Sequence, residues 1–225
     1  MVAKPKFALG IYQYSPFDQT MNNRIGILIL FVISIGMIQC SLQGQYQSPE
    51  IPIESLQQGD LAFRRGEGFT SDIVAYNDRD GRYSHIGIIV ESDSGLMVVH
   101  SVPGNHPTQP GSDIIRIEHI DQFFAPDMAR CGEIVRLELD STQQSMLGKM
   151  ALKKVTEKIP FDHNYDLSDT THLYCTELVK LLYQNIGIDL TQGRLTHINA
   201  PGMSNDYIMP SDIYQNNKLK TIFIY

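Results

Sequence analysis

Two residues of this chain stand where acyl-transfer chemistry needs them: a cysteine at the expected start of a helix and a histidine inside an apolar strand. Cys175 lies in Tyr174-Cys175-Thr176-Glu177-Leu178-Val179, where Leu178, Leu181, Leu182 and Ile186 recur at helical spacing and Gly187 follows as a stop. The first turn of a helix offers unpaired N–H groups and a favourable dipole. We therefore expect a lowered thiol pKa and a nucleophilic thiolate. A cysteine taken alone is more often a small buried hydrophobe. His85 interrupts Ser84-His85-Ile86-Gly87-Ile88-Ile89-Val90, an otherwise apolar, β-branched run. Such a histidine needs a partner to offset its desolvation. His100 ends Leu96-Met97-Val98-Val99-His100, which returns after the turn Asp93-Ser94-Gly95, so a hairpin sets it beside His85. Thiol, base and orienting group are the parts of nucleophilic catalysis. Glu91 is the reserve candidate for the orienting position. Each histidine alone also reads as a hydrogen-bonded core residue, and two facing each other across a hairpin weigh against that.

The remaining chemical residues carry less. Asp162, His163 and Asp166 are close in sequence, but no Cys or His pair has structural-zinc spacing, so no metal site and no cofactor is expected. Cys131 falls in a stretch expected to be a loop before a strand, with no partner in view. His106, His119, His172 and His197 read as solvated or loop residues. His172, three residues before Cys175, is a spare base that nothing obvious would orient.

The elements that must position the site follow from pattern. Strands are expected at residues 60–64, 84–90, 96–100, 113–117, 133–137 and 220–225, with a short helix over 70–76. Helices are expected over 142–158, ended by Pro160, and over 174–185, where Thr170 or Thr171 is placed to cap the start. Met209-Pro210-Ser211-Asp212 reads as a turn. Strands and helices are segregated rather than alternating, which makes the fold class α+β. The loops 65–82 and 102–111 are expected to shape the pocket.

The 42% hydrophobic and 19% charged content excludes disorder along most of the chain. A formal charge of -7 with no basic stripe makes nucleic acid a poor partner. Met21-Asn22-Asn23-Arg24 followed by the apolar run 25–38 reads as the leader of an exported protein, too short for a comfortable membrane span. Met21 is then the expected initiator and residues 1–20 an upstream extension. Cys40 directly after the run suggests a lipid-bearing lipoprotein cysteine, ahead of an ordinary signal peptide or an uncleaved anchor. Residues 41–52, rich in Gln, Ser, Gly and Pro, read as a tether. The domain is expected over 53–225. Without residues 1–40 the chain carries 15 basic and 24 acidic residues, a charge of -9.

The segment from Ser84 to Val90, with Met97-Val98-Val99-His100-Ser101 after the turn, resembles the histidine motif of the NlpC-type cell-wall peptidases. There the nucleophile precedes the histidine, whereas Cys175 follows His85 by about ninety residues. This order is similar to that of the YiiX/YaeF-like papain-fold amidases. Leu56-Gln57-Gln58-Gly59-Asp60-Leu61-Ala62-Phe63-Arg64, Phe161-Asp162-His163-Asn164-Tyr165-Asp166 and Met209-Pro210-Ser211-Asp212 resemble the same group, so the likeness runs from Leu56 to Asp212. The resemblance implies a circularly permuted papain-like (NlpC-type) fold, an antiparallel sheet with His85 packed against the Cys175 helix. It further implies an acyl-enzyme on Cys175, with His85 shuttling the proton and His100 standing where Glu is frequent in the group. The Cys175 N–H and one further group, for which Tyr174 is offered, would form the oxyanion site.

Three functions compete. The first is an amide hydrolase of a bacterial cell envelope, periplasmic or lipid-anchored through Cys40, acting on a peptide or muropeptide. The second, because the permuted order is shared with lecithin:retinol acyltransferase-like enzymes, is a thiol hydrolase or acyltransferase acting on an acyl lipid. The third is a non-catalytic binding module, ranked last because both Cys175 and His85 are present.

Overall fold

The computed structural model describes residues 48–104, 113–200 and 203–225. The leader, Cys40, most of the tether and His106 lie outside the described residues. The elements run β1 (Leu61–Gly66), α1 (Phe69–Asn77), β2 (His85–Ser92), β3 (Gly95–Ser101), β4 (Ile115–His119), α2 (Ile120–Phe123), β5 (Ala129–Arg136), α3 (Ser141–Thr156), α4 (Cys175–Gln184), β6 (Thr196–Ala200), β7 (Met203–Tyr207), α5 (Pro210–Tyr214) and β8 (Lys220–Ile224). Strands β4-β3-β2-β1-β5-β8 form one sheet in that order, antiparallel at every pairing. This is an α+β architecture.

Two apolar layers explain why the sheet forms. Successive side chains point to opposite faces, so Leu61, Phe63, Ile86, Ile88, Val90 and Val99 share one face. Leu147 and Ala151 of α3 and Leu178, Val179 and Leu182 of α4 cover it. The other face carries Ala62, Ile89, Val98 and Ile134 and is closed by Ile120, Phe123 and Phe124 in and after α2. Gly87 lies between the two histidines of the hairpin. A Cβ there would run into the Val98 side chain and lie 3.1 Å from the Val99 carbonyl, so only glycine lets β2 and β3 approach this closely.

Several elements depart from the sequence expectations. Strand β4 begins and ends two residues later than expected, which brings Glu118 into the sheet. Cys131 lies within β5, opposite Arg65, and not in a loop. Helix α4 begins at Cys175 itself. Tyr174 is its N-cap residue, and the Glu177 side chain accepts the Tyr174 N–H at 3.1 Å. Thr171 does not cap it, because its N–H and hydroxyl are bound to Asp169 at 2.8 and 2.6 Å. The expected turn at 209–212 is the opening of α5, where Asp212 accepts the Met209 N–H at 2.9 Å. The hairpin β6–β7 has no counterpart among the expected strands, since its residues Thr196-His197-Ile198-Asn199 lack an apolar alternation.

Candidate active site

Cys175 and His85 line one cavity of about 300 Å³ at the end of the sheet where β1 and β3 finish and β2 begins. The thiol follows from α4. Its apolar face pins the helix to the first layer, and the first residue of the helix is thereby set against the start of β2. The backbone N–H groups of Ile86 and Thr176 favour the charged form of the sulfur. Cys175 is partly exposed to the cavity, but its surroundings strip it of water, and this burial pushes the thiol up to about 11. The N–H groups and Arg64 pull the other way and are outweighed. The direction is opposite to the lowering expected from the helix start alone.

His85, at the first position of β2, projects to the second face and is buried. Its Nε2 lies 2.8 Å from His100 Nδ1, so the structure brings together the two histidines that the hairpin pattern paired. His100 is fully buried, and its Nε2 lies 2.9 Å from Glu118 Oε1. Arg64 Nη1 stands 3.7 Å from the same oxygen and donates to the Phe123 carbonyl at 2.6 Å. The Phe123 ring closes the group: it stacks on His85 at 5.7 Å, meets His100 edge-on at 5.3 Å and lies 4.3 Å beneath the Arg64 guanidinium. Burial, together with Arg64 and Arg116, holds both imidazoles below their ordinary pKa, His85 well below. Burial also lowers Arg64, to about 10.

Glu91 stands at the far end of β2, exposed and paired with Leu96, away from His85. Tyr174 lines the cavity, but its hydroxyl accepts the Ile208 N–H at 2.9 Å, which ties it to the wall. His172 contacts Asp169 at 2.8 Å and does not line the cavity. His163 pairs with Asp113, His197 with Asp206, and His119 precedes α2 on the surface.

Two residues were missed. Glu118 falls just past the strand end expected at residue 117. Tyr165 lies in the segment already noted by resemblance, yet nothing in its spacing marks it. The Asp162 carboxylate accepts the N–H groups of Asn164 and Asp166 at 2.8 and 2.6 Å and so curls this segment. Tyr165 within it has φ 52°, a left-handed conformation unusual for a bulky residue. It sits in the cavity wall, 5.2 Å from the Tyr174 ring. Its hydroxyl is near enough to Cys175 for the two charges to repel and, with burial as the larger cause, raise its pKa. Apolar residues complete the wall, among them Val74, Val102, Met128, Phe161 and Ile208.

A sheet carrying the histidine, packed on a helix that opens with the cysteine and follows it in the chain, is the circularly permuted papain-like arrangement. No family model and no curated protein matches this chain. Among solved structures, the chain is similar to one described as the metalloprotein yiiX from Escherichia coli O157:H7. The identity is 20% and the TM-score 0.62, over 76% of this chain and 98% of that one. The two share a fold. Among the described residues no group of three or more His, Cys, Asp or Glu is arranged to hold a metal ion. The Asp162 oxygens are already taken by backbone N–H groups.

Proposed function

We propose that the chain is a cysteine hydrolase of a bacterial cell envelope, exported by its leader and held at the membrane through Cys40. It cleaves an amide bond in a peptide or muropeptide. The observation that carries this is the cavity that Cys175 and His85 share, with His85 Nε2 committed to His100 at 2.8 Å, which makes Nδ1 the nitrogen of His85 that can act as base. The Cys175 sulfur attacks the carbonyl carbon as its proton passes to His85 Nδ1. The oxygen that gains charge is met by the Cys175 N–H and the Tyr165 hydroxyl. His85 then gives the proton to the departing amine, leaving a thioester. Water, losing a proton to His85, hydrolyses that thioester and restores the thiol. The neutral resting pair makes this a general-base mechanism rather than attack by a standing thiolate.

The test is mass spectrometry of the protein quenched during incubation with a muropeptide digest. A thioester adduct on the Cys175 peptide, with cleavage that disappears in Cys175→Ala, is expected. Cleavage surviving in Cys175→Ala would refute the mechanism.

One observation favours an acyl lipid as the alternative substrate. Helix α1 turns Thr70, Ser71 and Val74 to the cavity, while Phe69, Ile73 and Tyr76, spaced as one helix face, are 80%, 38% and 89% exposed beside it. Release of fatty acid from phospholipid vesicles, in place of cleaved muropeptide, would select that substrate.

A further inference from the structure

We propose that Glu118 is a positioning residue that decides, through His100, which nitrogen of His85 carries the proton. This rests on the reading of His85 as the base for Cys175, and it extends that reading to a residue outside the cavity wall.

A carboxylate only accepts, so the ring nitrogen facing Glu118 Oε1 at 2.9 Å, His100 Nε2, bears hydrogen. A neutral imidazole has one N–H, and both rings are held neutral by burial and by the arginines around them. His100 Nδ1 is therefore a bare acceptor. His85 Nε2, 2.8 Å away, must then be the donor. The single proton of His85 is thus spent on His100, and its Nδ1 keeps the lone pair that a base needs. Reversing the orientation at His100 would reverse it at His85 and put hydrogen on Nδ1.

The charges around the relay are suited to hold it in this sense. Arg64 faces it from β1, with Nη1 3.7 Å from Glu118. Arg116 faces it from β4 itself, with Nη2 bound to the carbonyls of Val102 and Gly104 at 3.2 and 3.1 Å. Phe123 shields the remaining side. When His85 accepts the thiol proton it becomes a cation between two arginines, and Glu118 is the anion that offsets it through His100. Its role is tautomer selection in the resting state and charge compensation in the reacting one.

Glu118→Gln tests this, because the amide can donate to His100 Nε2 and turn both hydrogen bonds around. Glu118→Asp keeps a carboxylate and serves as the conservative control. The full-length protein, labelled with 15N-histidine, is read by long-range proton–nitrogen correlation spectra at pH 7, alongside iodoacetamide labelling of Cys175. In the wild type and in Glu118→Asp, His85 is expected to carry its proton on Nε2. In Glu118→Gln a population with hydrogen on Nδ1 appears, and Cys175 labelling falls roughly tenfold or more. A proton on Nδ1 in the wild type, or an unchanged tautomer in a Glu118→Gln protein with native circular dichroism, overturns the proposal. A reversed tautomer with unchanged labelling supports the role of Glu118 and counts against His85 as the base for Cys175.

Discussion

The raised thiol pKa gives the sharpest prediction. A rise from the ordinary ~8.5 to about 11 is worth about 3 kcal/mol against the thiolate. A helix N-terminus returns about 0.3–1 kcal/mol, up to about 2 when partly buried, so desolvation wins. At pH 7 the thiolate fraction is then on the order of 10⁻⁴, roughly 300-fold below that of an ordinary cysteine. The perturbation is pH, applied to wild type and to His85→Ala. The assay is the initial rate of iodoacetamide labelling of the Cys175 peptide by mass spectrometry, which separates it from Cys131 and Cys40. We expect the thiolate-dependent rate to climb about tenfold per pH unit between 8 and 10 and to level only near pH 11. His85→Ala should lower the rate near pH 7, where the base assists, and converge with wild type above pH 10. A wild-type plateau reached below pH 8 would refute this reasoning. It would mean that the helix terminus and Arg64 overcome burial, and that the resting site is an ion pair.

Two further predictions concern stability. Phe123 is fully buried against His85, His100, Arg64 and Phe124. Phe123→Ala should therefore lose about 3–5 kcal/mol in urea unfolding, and a loss below 1 kcal/mol would show that the second layer is not closed by this ring. Burial pushes the Glu177 carboxyl up to about 8, so the folded state keeps a proton that the unfolded state releases near ~4.3. The stability it contributes is full below pH ~4.3 and is lost as pH rises to about 8. Glu177→Gln keeps an acceptor for the Tyr174 N–H, so its melting temperature should be flatter across that window. An identical pH profile would argue against a proton held there.

Much of the site was legible in local pattern because its main parts belong to regular elements. The 3.6-residue spacing of Leu178, Leu181, Leu182 and Ile186 announces a helix, and a helix has to begin somewhere near Cys175. A short turn between two apolar β-branched runs makes a hairpin, and the hairpin brings His85 and His100 side by side. The β6–β7 hairpin escaped notice because only Ile198 and Tyr207 among its described side chains bury an apolar surface. Helix α2 escaped because four residues are too few for a period.

By itself, the sequence determined that a cysteine stands near a helix start and two histidines on one hairpin, and that a helix and a sheet carry them. Only the tertiary structure decided the direction in which the Cys175 and His85 pKa values move, because desolvation depends on everything packed around them and not on their neighbours in the chain. It also decided the relay. Glu118 reaches His100 because β4 starts two residues later than the apolar pattern suggests, and strand register is settled by pairing with β3. Tyr165 enters the cavity because Asp162 binds two backbone N–H groups and turns the chain left-handed there. Both are effects of contacts that no spacing along the sequence records.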